Sequence, residues 1–141
     1  MSRVFLDTNI FIYLIEDRGV LGKTVMALVE RLAVRRDLVY TSTLTLGEVL
    51  TQPLAKRDMQ LMREYERHLT SPGMHMVDFN KDAARIFAQV RQDKTIKAPD
   101  AIQLSVAAAS QCDLFVTNDD RLSRKIVPGI QFITSLAKVP I

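Results

Sequence analysis

The chain has 141 residues, 48% of them hydrophobic and 25% charged, enough for one domain that removes roughly 70% of its unfolded surface from water without disulfides or metal staples. That balance excludes disordered and low-complexity architectures, and no apolar run approaches membrane-spanning length, nor does the N-terminus carry the features of a signal peptide, so a cytoplasmic protein without membrane contact is expected. Nineteen Lys and Arg against sixteen Asp and Glu leave a formal charge of +3, which alone is a weak sign of nucleic-acid binding.

RVFL, residues 3 to 6, reads as a short strand ending at Asp7, and NIFIYLI continues as a buried helix. The segment LGKTVMALVERLAVRR carries Val25, Leu28, Val29 and Leu32 at i, i+3, i+4 and i+7, an amphipathic helix ending in basic Arg35 and Arg36. LVYTS, 38 to 42, is a second strand, and TLTLGEVLTQ a helix that carries Glu48 and is expected to stop near Pro53. A charged helix follows from Leu54 to Leu69, with a narrow stripe of Met59, Met62, Tyr65 and Leu69, until Ser71-Pro72-Gly73 breaks it. MHMVDF is a third strand, and residues 81 to 92 repeat a helical stripe at Ala83, Ile86, Phe87 and Val90. Pro99 opens a helix, DAIQLSVAAASQ, that is apolar almost all round and therefore central. LFVTN, 114 to 118, is a fourth strand, DDRLSRKI a short helix and GIQFIT a fifth strand.

Such alternation predicts a single-domain α/β/α sandwich over residues 1–141, with a mainly parallel sheet of about five strands, because parallel strands need crossover helices that cover both faces. In these folds the ligand cleft lies outside the carboxyl ends of the strands. Asp7 and Asp119 follow two strand ends, while Glu48 and Asp100 fall in the expected first turns of two helices that re-enter near the same edge.

Each acid also has an ordinary structural role open to it. Asp7 fits a helix N-cap, Glu48 fits a capping box with Thr45, and Asp100 follows a helix-opening proline. Asp119 or Asp120 fits a turn or cap. The group is more telling than its members, since gathered carboxylates raise one another's pKa unless a cation neutralises them, and an oxygen-rich cluster suits Mg²⁺ or Mn²⁺. With four acids in one cleft, the remaining surface would carry 19 basic against 12 acidic residues, which suits a polyanion. His68 and His75 lack a second ligand at metal spacing, Cys112 sits among apolar residues as a small buried hydrophobe, and no glycine-rich phosphate loop is present.

LDTN at 6–9, TLTLGEVL at 43–50, IKAPDAIQLSVA at 96–107 and LFVTNDDRL at 114–122, in this order and spacing, resemble the PIN-domain family, and within it the VapC-type toxins of toxin-antitoxin pairs. The resemblance runs nearly end to end. It implies that Asp7, Glu48, Asp100 and Asp119 form a catalytic site holding Mg²⁺ or Mn²⁺, with Asn9 orienting Asp7 and Thr117 holding a carboxylate or a water. Asp119 is preferred to Asp120 because the family's acid stands two residues after the strand-ending threonine. The implied activity is that of a metal-dependent endoribonuclease hydrolysing RNA phosphodiesters, with a small VapB-like antitoxin as partner and a homodimer as its assembly. Arg91, Lys94, Lys97, Arg121, Arg124 and Lys125 flank Asp100 and Asp119, either as phosphate contacts or as a solvated face. The Met59, Met62 and Tyr65 stripe fits a partner groove or plain core. The alternatives are a PIN-like nuclease of RNA processing or structured DNA, and a catalytically silent module that binds RNA or antitoxin.

Overall fold

The computed structural model describes residues 1–140; Ile141, the last residue of the expected domain, lies outside them. The elements run β1 (Arg3–Leu6), α1 (Thr8–Glu16), α2 (Val20–Arg35), β2 (Leu38–Ser42), α3 (Thr43–Ala55), α4 (Met59–Leu69), β3 (Met74–Val77), α5 (Lys81–Val90), α6 (Ala98–Ala109), β4 (Leu114–Thr117), α7 (Asp120–Ser123) and β5 (Phe132–Ser135). The five strands form one sheet in the order β3-β2-β1-β4-β5, and every pairing is parallel. The single-domain α/β architecture expected from the alternation of strands and helices is the one observed.

Strand β1 lies at the centre, pairing Phe5 with Tyr40 of β2 on one side and with Phe115 of β4 on the other. The chain winds outward from β1 in both directions, so the β1–β4 boundary is a switch point where a crevice opens at the carboxyl ends of the strands. Being covered on both faces, β1 is apolar without alternation. Phe5 meets α5 and α6 on one face, whereas Val4 and Leu6 join the core under α1, α2 and α4 on the other. Phe5 and Phe115 stack with ring centroids 5.1 Å apart, fixing the two central strands side by side.

Local chemistry accounts for several element ends. Arg36 takes the left-handed conformation that closes α2. At the corner between α1 and α2, Gly22 lies so close to the backbone that an added Cβ would stand 1.7 Å from the carbonyl oxygen of Asp17. Helix α3 does not stop at Pro53, as its sequence suggests, but runs to Ala55. The proline sits in the last turn with its ring buried, where losing one backbone donor is offset by packing. The next helix consequently begins at Met59 rather than Leu54, after a turn in which Arg57 has a φ of 53°. Within α4, Tyr65 and Leu69 are fully buried while Met59 is 52% exposed, so the deeper half of that stripe is core. Its buried ring ends in a hydroxyl that donates to Glu16. His75 is a strand residue, as expected, and stacks on its neighbour Tyr40. Cys112 is buried, and burial pushes its thiol up to about 12. No described helix is long and apolar enough to cross a membrane.

Candidate active site

Asp7 stands where β1 ends and α1 begins. Its backbone N–H extends the β1–β4 ladder to the Val116 carbonyl at 3.0 Å, and its side chain caps α1 by accepting from the Thr8 N–H at 2.8 Å. The second carboxylate oxygen accepts from the Thr117 hydroxyl at 2.8 Å. Asp7 is only 7% exposed. Burial, the largest influence, raises its pKa from the ordinary 3.8 to about 6 against the opposing pull of the Thr117 and Thr8 hydrogen bonds, and Asp100 and Glu48 push it further up. The helix cap and the cleft acid, alternatives in the sequence, are thus properties of the same side chain.

Glu48 reaches this edge from α3, but from its second turn rather than its first. Ser42 caps that helix, its hydroxyl oxygen accepting from the Thr45 N–H, so the expected Thr45–Glu48 capping box is not formed. Glu48 instead accepts a 2.6 Å bond from the Thr8 hydroxyl. Asp100 lies in the first turn of α6, just after Pro99. Its carboxyl is raised by burial and then by Asp119 and Glu48, with Lys97 and Arg121 pulling it back. Asp119 caps α7, accepting from the Arg121 N–H at 3.0 Å, and lies 3.7 Å from the Arg121 guanidinium. Asp120 is the exposed first residue of that helix, so of the two acids that fit a cap the one that forms it is Asp119.

Asp100 and Asp119 share a cavity of about 460 Å³, lined also by Lys97, Arg121, Arg124 and Lys125. Lys125 is tied down, its ammonium 2.9 Å from Asp93 and 2.7 Å from the Thr95 hydroxyl. Ile96 and Leu122 provide the apolar part of the lining.

The four acids are all oxygen donors, which is the ligand chemistry of a hard divalent cation. Asp7 bears the mark of a group that needs one, being a buried carboxyl whose neighbours are two further carboxyls. Among the described residues, however, no three acidic, histidine or cysteine side chains stand as a ready-made ligand group. The donor types fit a cation, and the side chains would have to draw inward to hold it. Thr117 bonds Asp7 directly. The Asn9 side-chain oxygen lies buried without a hydrogen-bond partner among the described residues, while both Asp7 oxygens are taken by Thr8 and Thr117.

A second layer escaped the sequence reading. Gln103, 1% exposed, donates from Nε2 to the hydroxyls of Thr8 at 2.9 Å and Thr45 at 2.7 Å, and the Ser42 hydroxyl donates to its Oε1. The available signal was the one glutamine of a helix that is apolar almost all round, one turn beyond Asp100.

Comparison with known proteins adds a family and a fold. The PIN domain family model matches residues 4–126. No curated protein matches the sequence. Among solved structures, VapBC2 from Rickettsia felis, bound to a DNA fragment from its promoter, is similar with a TM-score of 0.77 and 20% identity, over 94% of this chain and 98% of that one. DNA-bound VapBC from Salmonella typhimurium gives 0.75 and 20%, over 96% and 99% of the two chains. VapC20 of Mycobacterium tuberculosis, a toxin that cleaves the sarcin-ricin loop, gives 0.62 and 16%, over 79% and 86%.

Proposed function

Because the chain belongs to the PIN-domain family, we propose that it is a metal-dependent endoribonuclease, the toxin of a toxin-antitoxin pair, with residues 1–141 forming one nuclease domain. The observation that carries this reading is the electrostatic coupling of four acids from four elements at the carboxyl edge of the sheet, Asp7 with Glu48 and Asp100, and Asp100 in turn with Asp119. Without a counter-charge such a group resists full ionisation.

In this reading Asp7, Glu48, Asp100 and Asp119 hold Mg²⁺ or Mn²⁺. The bound ion lowers the pKa of a water and offsets charge on the phosphoryl group. The chain's own residues bind and orient. Thr117 and the Thr8 N–H fix both oxygens of Asp7, so its carboxylate is held in one orientation, and the Thr8 hydroxyl holds one oxygen of Glu48. No acid needs to attack phosphorus. Lys97, Arg121 and Arg124, which line the same cavity as Asp100 and Asp119, suit phosphates on either side of the scissile bond, and Arg121 also restrains Asp119. A polyanion threaded past these cations arrives beside the acids, which favours nucleic acid over a small neutral substrate.

The VapBC complexes among the similar structures support a small VapB-like antitoxin as partner, and the loop-cleaving toxin supports RNA as substrate. A cytoplasmic homodimer completes the proposal. The test is to free the protein from antitoxin and incubate it with mixed RNAs, with and without Mg²⁺ or Mn²⁺, beside Asp7→Asn and Asp100→Asn. Metal-dependent cleavage that both variants abolish is expected; no cleavage, or equal cleavage by the variants, refutes the activity.

A further inference from the structure

A buried primary amide is costly unless each of its hydrogen-bonding groups is used, and a leucine would fill the same space without that demand. Gln103 nevertheless occupies the one buried glutamine position of α6, fully bonded to residues of three other elements: Thr8 of α1, Ser42 at the end of β2 and Thr45 of α3. The single hydroxyl hydrogen of Thr8 is donated to Glu48 at 2.6 Å. The Thr8 oxygen must then be an acceptor, and Gln103 must present its nitrogen to it, at 2.9 Å. Ser42 donates to the other end of the amide, and reversing the amide would set its oxygen against the Thr8 oxygen with no hydrogen between them.

Thr8 is therefore a bridge. Its backbone N–H holds Asp7 at 2.8 Å, its hydroxyl holds Glu48, and its hydroxyl orientation is set by a residue one turn along α6 from Asp100. Glu48 itself is exposed, and no other side chain bonds it among the described residues, so without Thr8 its carboxylate would sample several rotamers.

We propose that Gln103 is a positioning residue which, through the Thr8 hydroxyl, fixes Glu48 relative to Asp7 and Asp100 and so sets the affinity of the acidic cleft for a divalent cation. The proposal rests on the reading of that cleft as a metal site. Metal-ligand orienting groups of this kind are worth 10–100-fold in metal affinity.

The test is Mn²⁺ titration by calorimetry on the RNA-free full chain, with folding checked by circular dichroism. Gln103→Met keeps the volume but cannot bond Thr8 as the amide does, and Thr8→Val removes the bridge. Each is expected to weaken Mn²⁺ binding by about 10–100-fold, and the double variant to bind no more weakly than either single one, since the two act in series. A merely structural role would lower the melting temperature and leave the Mn²⁺ affinity of the folded protein unchanged. Should Gln103→Met not fold, Gln103→Glu decides the point: its carboxylate still accepts from Ser42 but draws the Thr8 hydroxyl towards itself, and the same weakening is expected. Mn²⁺ binding by the parent with equal binding by the folded Gln103 variant overturns this proposal alone. A parent that binds no Mn²⁺ overturns it together with the metal-site reading.

Discussion

Replacing Asp7 by asparagine should stabilise the metal-free protein while abolishing its proposed activity. The folded pKa of Asp7 is about 6 against an ordinary 3.8, so between these values the native state keeps a proton that the unfolded chain has released. Stability therefore falls as pH rises through that window, by about 1.4 kcal/mol per pH unit, and levels off above it after losing about 3 kcal/mol. Asparagine keeps the shape without the charge. The Thr117 hydroxyl, which donates to Asp7 at 2.8 Å, can turn to accept from the new amide, and the Thr8 N–H keeps its acceptor. Asp7→Asn should consequently melt near the parent at about pH 4 and above it at about pH 7.5 by up to about 3 kcal/mol, or roughly 9 °C for a domain of this size. The contribution of Asp100, whose carboxyl is also raised, is present in both proteins and largely cancels. The assay is thermal or urea unfolding in chelator across this pH range. Adding Mn²⁺ should reverse the order, because a ligand that binds only the native parent stabilises only the parent. The reasoning is refuted if Asp7→Asn is the less stable protein at about pH 7.5 in chelator, or if its difference from the parent is the same at both pH values.

Three further outcomes follow from particular contacts. Asp119→Asn should reduce initial RNA cleavage rates by about 100-fold or more, at or above the top of the range for groups that only orient metal ligands, whereas exposed Asp120→Asn should stay within about threefold of the parent; the opposite ranking would make Asp120 the fourth acid. If Arg121 and Arg124 contact RNA, replacing each with glutamine should lower the slope of log affinity against log salt by about 0.7 per lost contact, and an unchanged slope would return them to the solvated surface. Gly22→Ala would put a Cβ 1.7 Å from the Asp17 carbonyl oxygen, so urea titration should show a loss of about 1–3 kcal/mol or more; an unchanged midpoint would mean that the α1–α2 corner yields freely.

The fold was legible because its determinants are periodic and local. The apolar run 4–6 of β1, the stripe of α2 and the proline opening α6 each specify an element without help from distant residues. Pro53 misled for a tertiary reason: burial of its ring lets α3 run on to Ala55, a gain that the local rule for proline does not contain. The candidate site divides along the same line. Asp7 and Asp119 follow strand ends, positions that alternation alone identifies. Glu48 is expected at this edge from the first turn of its helix but reaches it from the second, and its alternative role, the capping box, does not form because Thr45 has its N–H bonded to Ser42 and its hydroxyl in the Gln103 network. What holds Glu48 is Thr8, 40 positions away in sequence, oriented by Gln103, 95 positions from Thr8. Bonds of that span leave no periodicity, only a polar residue where the pattern calls for an apolar one. In α6 that irregularity is Gln103, and its burial converts it from an exception in the apolar pattern into the link between the helix that carries Asp100 and the residue that touches both Asp7 and Glu48.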